Sequence, residues 1–193
     1  KGIGVPKDYK AALKWYKLAA EKKLASAQIN LGEMYREGRG VTQNYRTAVK
    51  WYKLAAEQGD AFAQYNLGNQ FRRGHGVSKN PKTAVKWYKL AAEQGLSSAQ
   101  HNLGFMFLKG HGVSQDHVRA YMWFTMANDQ FVKAPINYIP ILEKKMTSTQ
   151  ISKAQDLARE SVRKEYKGCW ISENPAHYGS KPSLVLARLT FAK

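Results

Sequence analysis

The stretch Thr47-Ala48-Val49-Lys50-Trp51-Tyr52-Lys53-Leu54-Ala55-Ala56-Glu57-Gln58-Gly59 decides the fold, because the same letters return from Thr83 to Gly95. The tryptophans carry the period further in both directions: Trp15, Trp51, Trp87 and Trp123 stand 36 residues apart. Beside them run the columns Ala12, Ala48, Ala84, Ala120; Tyr16, Tyr52, Tyr88, Phe124; and Ala19, Ala55, Ala91, Ala127. A second block has the same period: Ala27-x3-Leu31-Gly32-x2-Tyr35, Ala63-x3-Leu67-Gly68-x2-Phe71 and Ala99-x3-Leu103-Gly104-x2-Phe107. Glycine punctuation separates the blocks, as Gly2-x-Gly4-Val5, Gly38-x-Gly40-Val41, Gly74-x-Gly76-Val77 and Gly110-x-Gly112-Val113. Three column sets at one spacing are the signature of a repeat architecture.

Both blocks have helical period. Ala12, Trp15 or Tyr16, and Ala19 fall at three- and four-residue steps on one stripe, with Trp and Tyr expected to point inward as core. Asp8, Asn44, Asn80 and Asp116 stand where an N-cap oxygen satisfies first-turn amides, and Pro81 follows Asn80 where a missing amide costs nothing. Gly59 and Gly95 end these helices, and Gly38 ends the other type through the left-handed cap conformation. Gly32, Gly68 and Gly104 lie in mid-helix, where each costs about 1 kcal/mol relative to Ala; two helices crossing too closely for a Cβ explain them. The unit is an antiparallel helix pair, and stacked pairs form a solenoid with a continuous core.

Composition agrees and excludes other classes. With 44% hydrophobic and 12% aromatic residues in 193, the chain is too apolar for disorder, and no apolar run reaches the roughly 18 residues of a membrane span. The formal charge of +17 points toward acidic partners without choosing among them. A single cysteine, Cys169, excludes an intrachain disulfide framework and a Cys-rich zinc site. The sequence opens on Lys1-Gly2-Ile3-Gly4-Val5, with neither Met nor a charged-then-apolar leader, which reads as a processed or trimmed chain. A secreted or periplasmic location after signal removal and a cytoplasmic one both stay open.

The pattern A-x3-LG-x2-Y-x2-G-x-GV-x2-[DN]-x3-A-x2-WY-x2-AA-x2-G resembles the Sel1-like repeat, a relative of the tetratricopeptide repeat with a longer link between its helices. The resemblance covers most of residues 1–131 and implies an all-α, right-handed α-solenoid, or superhelix, of antiparallel helix pairs. In that register 24–59, 60–95 and 96–131 are full repeats. Residues 1–23 are the second helix of an earlier repeat whose first helix is absent, which is expected to leave an apolar edge or one covered by a crystal or biological neighbour. Residues 132–166 form a degenerate repeat and cap: Pro135 and Pro140 replace the column alanine and glycine and imply a bent helix over 132–146. Thr147-Ser148-Thr149-Gln150 then has capping-box spacing before a last helix near 148–166, striped by Ile151, Ala154, Leu157, Ala158 and Val162. The Thr147 to Cys169 stretch also resembles the ends of bacterial Sel1-like proteins. In the irregular tail, 167–193, Gly168, Pro175, Gly179 and Pro182 break any helix, while Ser183 to Phe191 is apolar enough to want burial. It either packs on the last helices or occupies a groove in its own or a neighbouring chain, which would give tail-mediated self-association.

The resemblance implies a binding surface on the concave wall built from the first helix of each pair. Its columns here are Ile29, Tyr65, His101; Asn30, Asn66, Asn102; Glu33, Asn69, Phe105; Arg36, Arg72, Leu108; and Glu37, Arg73, Lys109. An Asn side chain offers a donor and an acceptor, so a ladder of them suits the backbone of an extended peptide; the other reading is that these Asn bridge neighbouring helices. In tetratricopeptide domains the residue before the Leu-Gly pair is often the Asn of a carboxylate-binding clamp, and Asn30, Asn66 and Asn102 occupy that place. Arg36, Arg72, Arg73 and Lys109 supply charge for a carboxylate, and Tyr65 and Phe105 are candidate anchors.

The other helix carries a basic stripe: Lys10, Arg46, Lys82; Lys14, Lys50, Lys86; and Lys17, Lys53, Lys89. Nucleic acid or an anionic membrane suits such a ladder. Yet Glu21, Glu57 and Glu93 lie one turn on, and no aromatics interleave for base stacking, so a solvated convex face is favoured and nucleic acid disfavoured. Ser161-x2-Lys164 matches the spacing of penicillin-recognising serine enzymes without their partner motifs. Cysteine-rich relatives have been associated with β-lactam binding, but this chain lacks their regular cysteine pairs. His75 and His111 share a loop column and His117 follows, yet loops one repeat apart need not converge on a metal. The reading is a non-enzymatic scaffold, without cofactor or metal, that binds a protein or peptide partner, an acidic one included.

Overall fold

The computed structural model describes residues 8–128 and 138–164, and among these it is all-helical. The order is α1 (Tyr9–Glu21), α2 (Ala25–Glu37), α3 (Tyr45–Glu57), α4 (Ala61–Arg73), α5 (Pro81–Ala92), α6 (Ser97–Lys109), α7 (His117–Asn128), α8 (Ile139–Glu143) and α9 (Ser148–Arg163). Helices α2/α3, α4/α5 and α6/α7 form the closely packed pairs, and α1/α2, α3/α4 and α5/α6 join one pair to the next. The solenoid follows from that alternation.

The ends of the helices are set by the residues the period singles out. Asp8, Asn44 and Asn80 accept from the backbone amides of Ala11, Thr47 and Thr83 at 2.9, 2.9 and 3.0 Å, and Asp116 accepts from that of Arg119 at 2.9 Å. Their own amides reach across the loop: Asn44 N–H donates to the Tyr35 carbonyl, Asn80 to Phe71 and Asp116 to Phe107, at 2.8, 2.8 and 3.0 Å. One residue thus starts the second helix and ties it to the first. Gly38, Gly74 and Gly110 end α2, α4 and α6 with φ of 73°, 78° and 67°, the left-handed cap that L side chains disfavour.

The mid-helix glycines sit under rings. A Cβ on Gly32 would lie 2.4 Å from Tyr52 Cε1, one on Gly68 2.7 Å from Tyr88 Cε1, and one on Gly104 3.0 Å from Phe124 Cδ1. Tyr52 and Tyr88 are fully buried, so the Tyr column, packed through glycine onto the partner helix, is the centre of each pair.

The tryptophan column behaves differently, and here the expectation of a uniform inward core fails. Trp15 is 68% exposed, Trp51 and Trp87 are half-buried, and Trp123 is 1% exposed. The indole packs backward along the stack: Trp51 lies on Ala20, Ala27 and Leu31 of α1 and α2. Trp15, on the first described helix, has no helix pair behind it among the described residues, and Leu18 is exposed as well.

At the far end α9 packs on α7, burying Ala154 and Ala158, with Ile151, Leu157 and Val162 partly buried. Its capping box forms: Thr147 Oγ1 accepts from Gln150 N–H, and Gln150 Oε1 accepts from Thr147 N–H. The helix ends at Arg163, three residues short of the sequence reading. Of the bent helix expected over 132–146, the described part, from Tyr138 on, holds α8, with Pro140 in its first turn where the ring is tolerated. Residues 1–7, 129–137 and 165–193, with the Gly2/Gly4 punctuation, Pro135, Cys169 and the tail, lie outside the described residues.

Candidate functional site

Helices α2, α4 and α6 stack side by side, and two hydrogen bonds between them show the register. Asn66 Nδ2 donates to Glu33 Oε1 at 3.0 Å, and Asn102 Nδ2 donates to Asn69 Oδ1 at 3.3 Å. The bridging role weighed for the asparagine ladder is therefore present at Asn66 and Asn102. Asn30, Asn66 and Asn102 are all half-buried, as are Tyr65, Asn69 and Phe105.

The wall changes character from repeat to repeat. In α2, Glu33 Oε1 also accepts the Tyr52 hydroxyl at 2.7 Å, while Oε2 accepts Arg36 Nε at 3.0 Å. Arg36 also pairs with Glu37, and Arg39 pairs with Glu37 as well. Burial, followed by the neighbouring Glu33 carboxylate, pushes the Tyr52 phenol well above its ordinary value, so it stays protonated and donating. In α4 the carboxylates are gone: Asn69 Oδ1 accepts the Tyr88 hydroxyl at 2.8 Å, and Arg72 Nε donates to the same hydroxyl at 3.1 Å. Arg72 is half-buried and Arg73 exposed, and among the described residues neither makes an ion pair.

In α6 the wall is aromatic. Tyr138, just ahead of α8, stacks on Phe124 at 4.9 Å and lies 6.0 Å from Phe105 and 5.9 Å from His101, centroid to centroid. Phe105 thus has an aromatic neighbour within the chain, and Tyr65 likewise faces Tyr88 at 6.1 Å. Leu108, read as a wall residue in the column of Arg36 and Arg72, is instead buried, in the core cluster that includes residues of α7 and α9; Lys109 is exposed.

Burial lowers the pKa of His101 from its ordinary 6.5. The folded chain then binds its proton less readily than the unfolded chain, so this group's contribution is fully present above pH 6.5 and is lost as pH falls toward the depressed folded value. His101→Gln is expected to flatten the acid side of a plot of Tm against pH, and an NMR titration should place the His101 midpoint below that of an exposed histidine.

Sequence reasoning missed the glutamine column. Gln28, Gln64 and Gln100 are buried, and their Nε2 groups donate to the carbonyls of Ala20, Ala56 and Ala92 at 3.3, 3.3 and 3.2 Å, closing the end of the preceding helix. Gln58 and Gln94 donate in turn to Gln28 and Gln64 at 2.7 and 2.9 Å. Their 36-residue recurrence was the available signal.

On the opposite helices Lys14, Lys50 and Lys86 are exposed, whereas Lys53 and Lys89 lie 3.7 Å from Glu57 and Glu93. Ser161 is buried in α9 and Lys164 pairs with Glu160 at 2.6 Å. His75 packs on Tyr45 at 4.7 Å and His111 on Phe105 at 6.1 Å. Among the described residues no group of three His, Cys, Asp or Glu is gathered for a metal, and no helix is long and apolar enough to cross a membrane.

Residues 1–24, 25–60, 61–96 and 97–130 match a known family, described as the Sel1 repeat. The chain belongs to the Sel1 repeat family. Sel1 repeat proteins generally serve as non-catalytic protein-interaction scaffolds. Among solved structures the chain is similar to a protective antigen of uropathogenic Escherichia coli strains displaying an SLR fold, at 36% identity and a TM-score of 0.79 over 94% of this chain and 40% of that one. It is also similar to a Sel1 repeat protein from Oxalobacter formigenes, at 33% identity and a TM-score of 0.63 over 86% of this chain and 60% of that one. The chain therefore spans about two fifths and three fifths of these two neighbours. No curated protein matches it.

Proposed function

We propose that this Sel1 repeat chain is a non-enzymatic scaffold that binds an extended peptide segment or a C-terminal carboxylate along the wall of α2, α4 and α6. The observation that supports this is the graded chemistry of the wall: amide side chains recur at each repeat, while Arg72 and Arg73 make no ion pair among the described residues. Asn30, Asn66 and Asn102 bond the backbone of the segment. Arg72, Arg73 and Lys109 attract its acidic groups, Arg36 being taken up by Glu33 and Glu37. Tyr65, Asn69 and Phe105 border its path.

A peptide array or pull-down comparing the parent with Asn66→Ala plus Arg72→Ala tests this. Removing one amide contact and one charge-assisted contact is expected to weaken binding by more than about tenfold. Unchanged binding overturns the assignment. The second reading, electrostatic binding of nucleic acid or an anionic membrane, draws on the exposure of Lys14, Lys50 and Lys86. It is the conclusion to adopt if a gel shift falls steeply with salt and is abolished when those three lysines become Glu.

A further inference from the structure

We propose that Arg72 is a carboxylate-docking station whose occupied form the chain itself displays one repeat earlier, at Arg36. The proposal rests on the wall reading above and sharpens it to one site and one chemistry.

The two stations are built on the same frame. Each has a buried Tyr on the second helix, Tyr52 or Tyr88, whose hydroxyl donates to the wall residue 19 positions earlier, Glu33 or Asn69. Each of those residues also accepts an Asn amide from the following repeat, Asn66 or Asn102, 33 positions on. So Glu33 Oε1 and Asn69 Oδ1 do the same two jobs. The difference is the second oxygen. Glu33 Oε2 grips the Arg36 guanidinium, and Asn69 carries an amide NH2 at the corresponding position, which donates and cannot grip an arginine. The next column repeats the contrast: Glu37 pairs with Arg36, whereas Arg73 stands in its place beside Arg72.

Arg72 is nonetheless held as a receptor must be. Its Nε is anchored on the Tyr88 hydroxyl at 3.1 Å, which fixes the plane of the fork and leaves its two terminal amino groups to donate. Arg72 is half-buried and its Nε sits on the hydroxyl of the buried Tyr88, so an arriving carboxylate pairs at the edge of the core, where a charge-assisted pair is stronger than on an open surface. Arg73 adds a second cation beside it. A carboxylate from a partner therefore takes the place of Glu33 Oε2, with Arg72 as its main donor. Its source is either the C-terminus of the partner or an Asp or Glu side chain.

Three short probes separate these sources: N-acetyl-triglycine with a free C-terminus, the same peptide amidated, and N-acetyl-Gly-Glu-Gly-amide. The readout is the NMR shift of the Arg72 and Arg36 Nε–H groups on titration. A saturable shift is expected at Arg72 and none at Arg36, from the free acid, the glutamyl peptide or both; which of them binds names the source. The amidated control should give no saturable shift. Asn69→Glu supplies the missing oxygen from within and is expected to weaken the probe by about tenfold or more while leaving the backbone spectrum folded. In the converse variant, Glu33→Asn with Glu37→Arg, a second saturable site is expected at Arg36; should it fail to fold, Asn69→Glu decides alone. Absence of a saturable response at Arg72, equal binding of the amidated control, or an unchanged response in Asn69→Glu overturns the proposal. If arrayed peptides still need Asn66 and Arg72 yet tolerate Asn69→Glu, the docking station falls and the wall reading stands. If Arg72 takes the probes while arrayed peptides ignore the Asn66 and Arg72 substitutions, the station stands and the wall reading falls.

Discussion

Gly76→Ala is expected to lower the stability of this chain by about 3 kcal/mol, far more than Gly59→Ala, although both glycines have positive φ. Gly76 has φ of 75°, and a Cβ there would lie 2.4 Å from the carbonyl carbon and oxygen of Tyr45 and 2.7 Å from the amide nitrogen of Arg46. Those are backbone atoms in the first turn of α3, one repeat earlier, and cannot swing aside like a side chain. The loop must lift off the preceding repeat, so the substitution weakens an inter-repeat interface as well as straining one residue. Gly59 has φ of 92° but nothing within 4 Å of its Cβ position, so only the left-handed backbone is penalised, by about 1–2 kcal/mol. Thermal or urea melts followed by circular dichroism check this. Because a solenoid is coupled mainly through nearest-neighbour interfaces, the Gly76→Ala melt should also broaden. Equal losses for the two substitutions would show that the loop does not couple the repeats.

The second large effect separates four residues that look identical in the sequence. Trp123→Ala is expected to cost about 3–5 kcal/mol, the usual range for emptying a closed aromatic site, and Trp15→Ala no more than about 0.5 kcal/mol. Trp123 is 1% exposed in a core shared with Leu142, Met146, Ala154 and Ala158, so the capping segment seals it. Trp15 is 68% exposed. Trp51→Ala and Trp87→Ala should fall between. Melting of the four variants tests the ranking, and acrylamide quenching of single-Trp versions should be strongest for Trp15. A uniform loss across the column would mean that the indoles pack within their own helix pair.

Much of the fold was legible because its causes are short-range or recur. Asp8, Asn44, Asn80 and Asp116 cap helices through amides three residues away, and Gly32, Gly68 and Gly104 recur opposite a ring at a constant offset. The glutamine column was equally periodic, but a polar residue in a helical pattern reads as solvent-facing until the carbonyl it bonds is known. At the candidate site the residue types were legible and their states were not. Arg36 and Arg72 share a column; the acidic neighbours Glu33 and Glu37 of Arg36 stand in its own helix, where Arg72 has Asn69 and Arg73, but the anchoring of Arg72 on the Tyr88 hydroxyl 16 positions on has no local sign.

The sequence alone determined the helix pairs, their caps, the glycine crossings and the 36-residue stacking period, since each follows from spacing within a helix or from its recurrence. The tertiary structure decided which tryptophan is sealed, that Arg72 is anchored on a tyrosine of the next helix, and that Tyr138 covers the aromatic end of the wall. The sealing of Trp123 and the place of Tyr138 depend on residues far along the chain packing together, as do the wall bonds between atoms 19 and 33 positions apart, and on how each repeat's neighbour differs from the consensus. Periodicity specifies that neighbours meet; only the stacked structure shows what each of them offers.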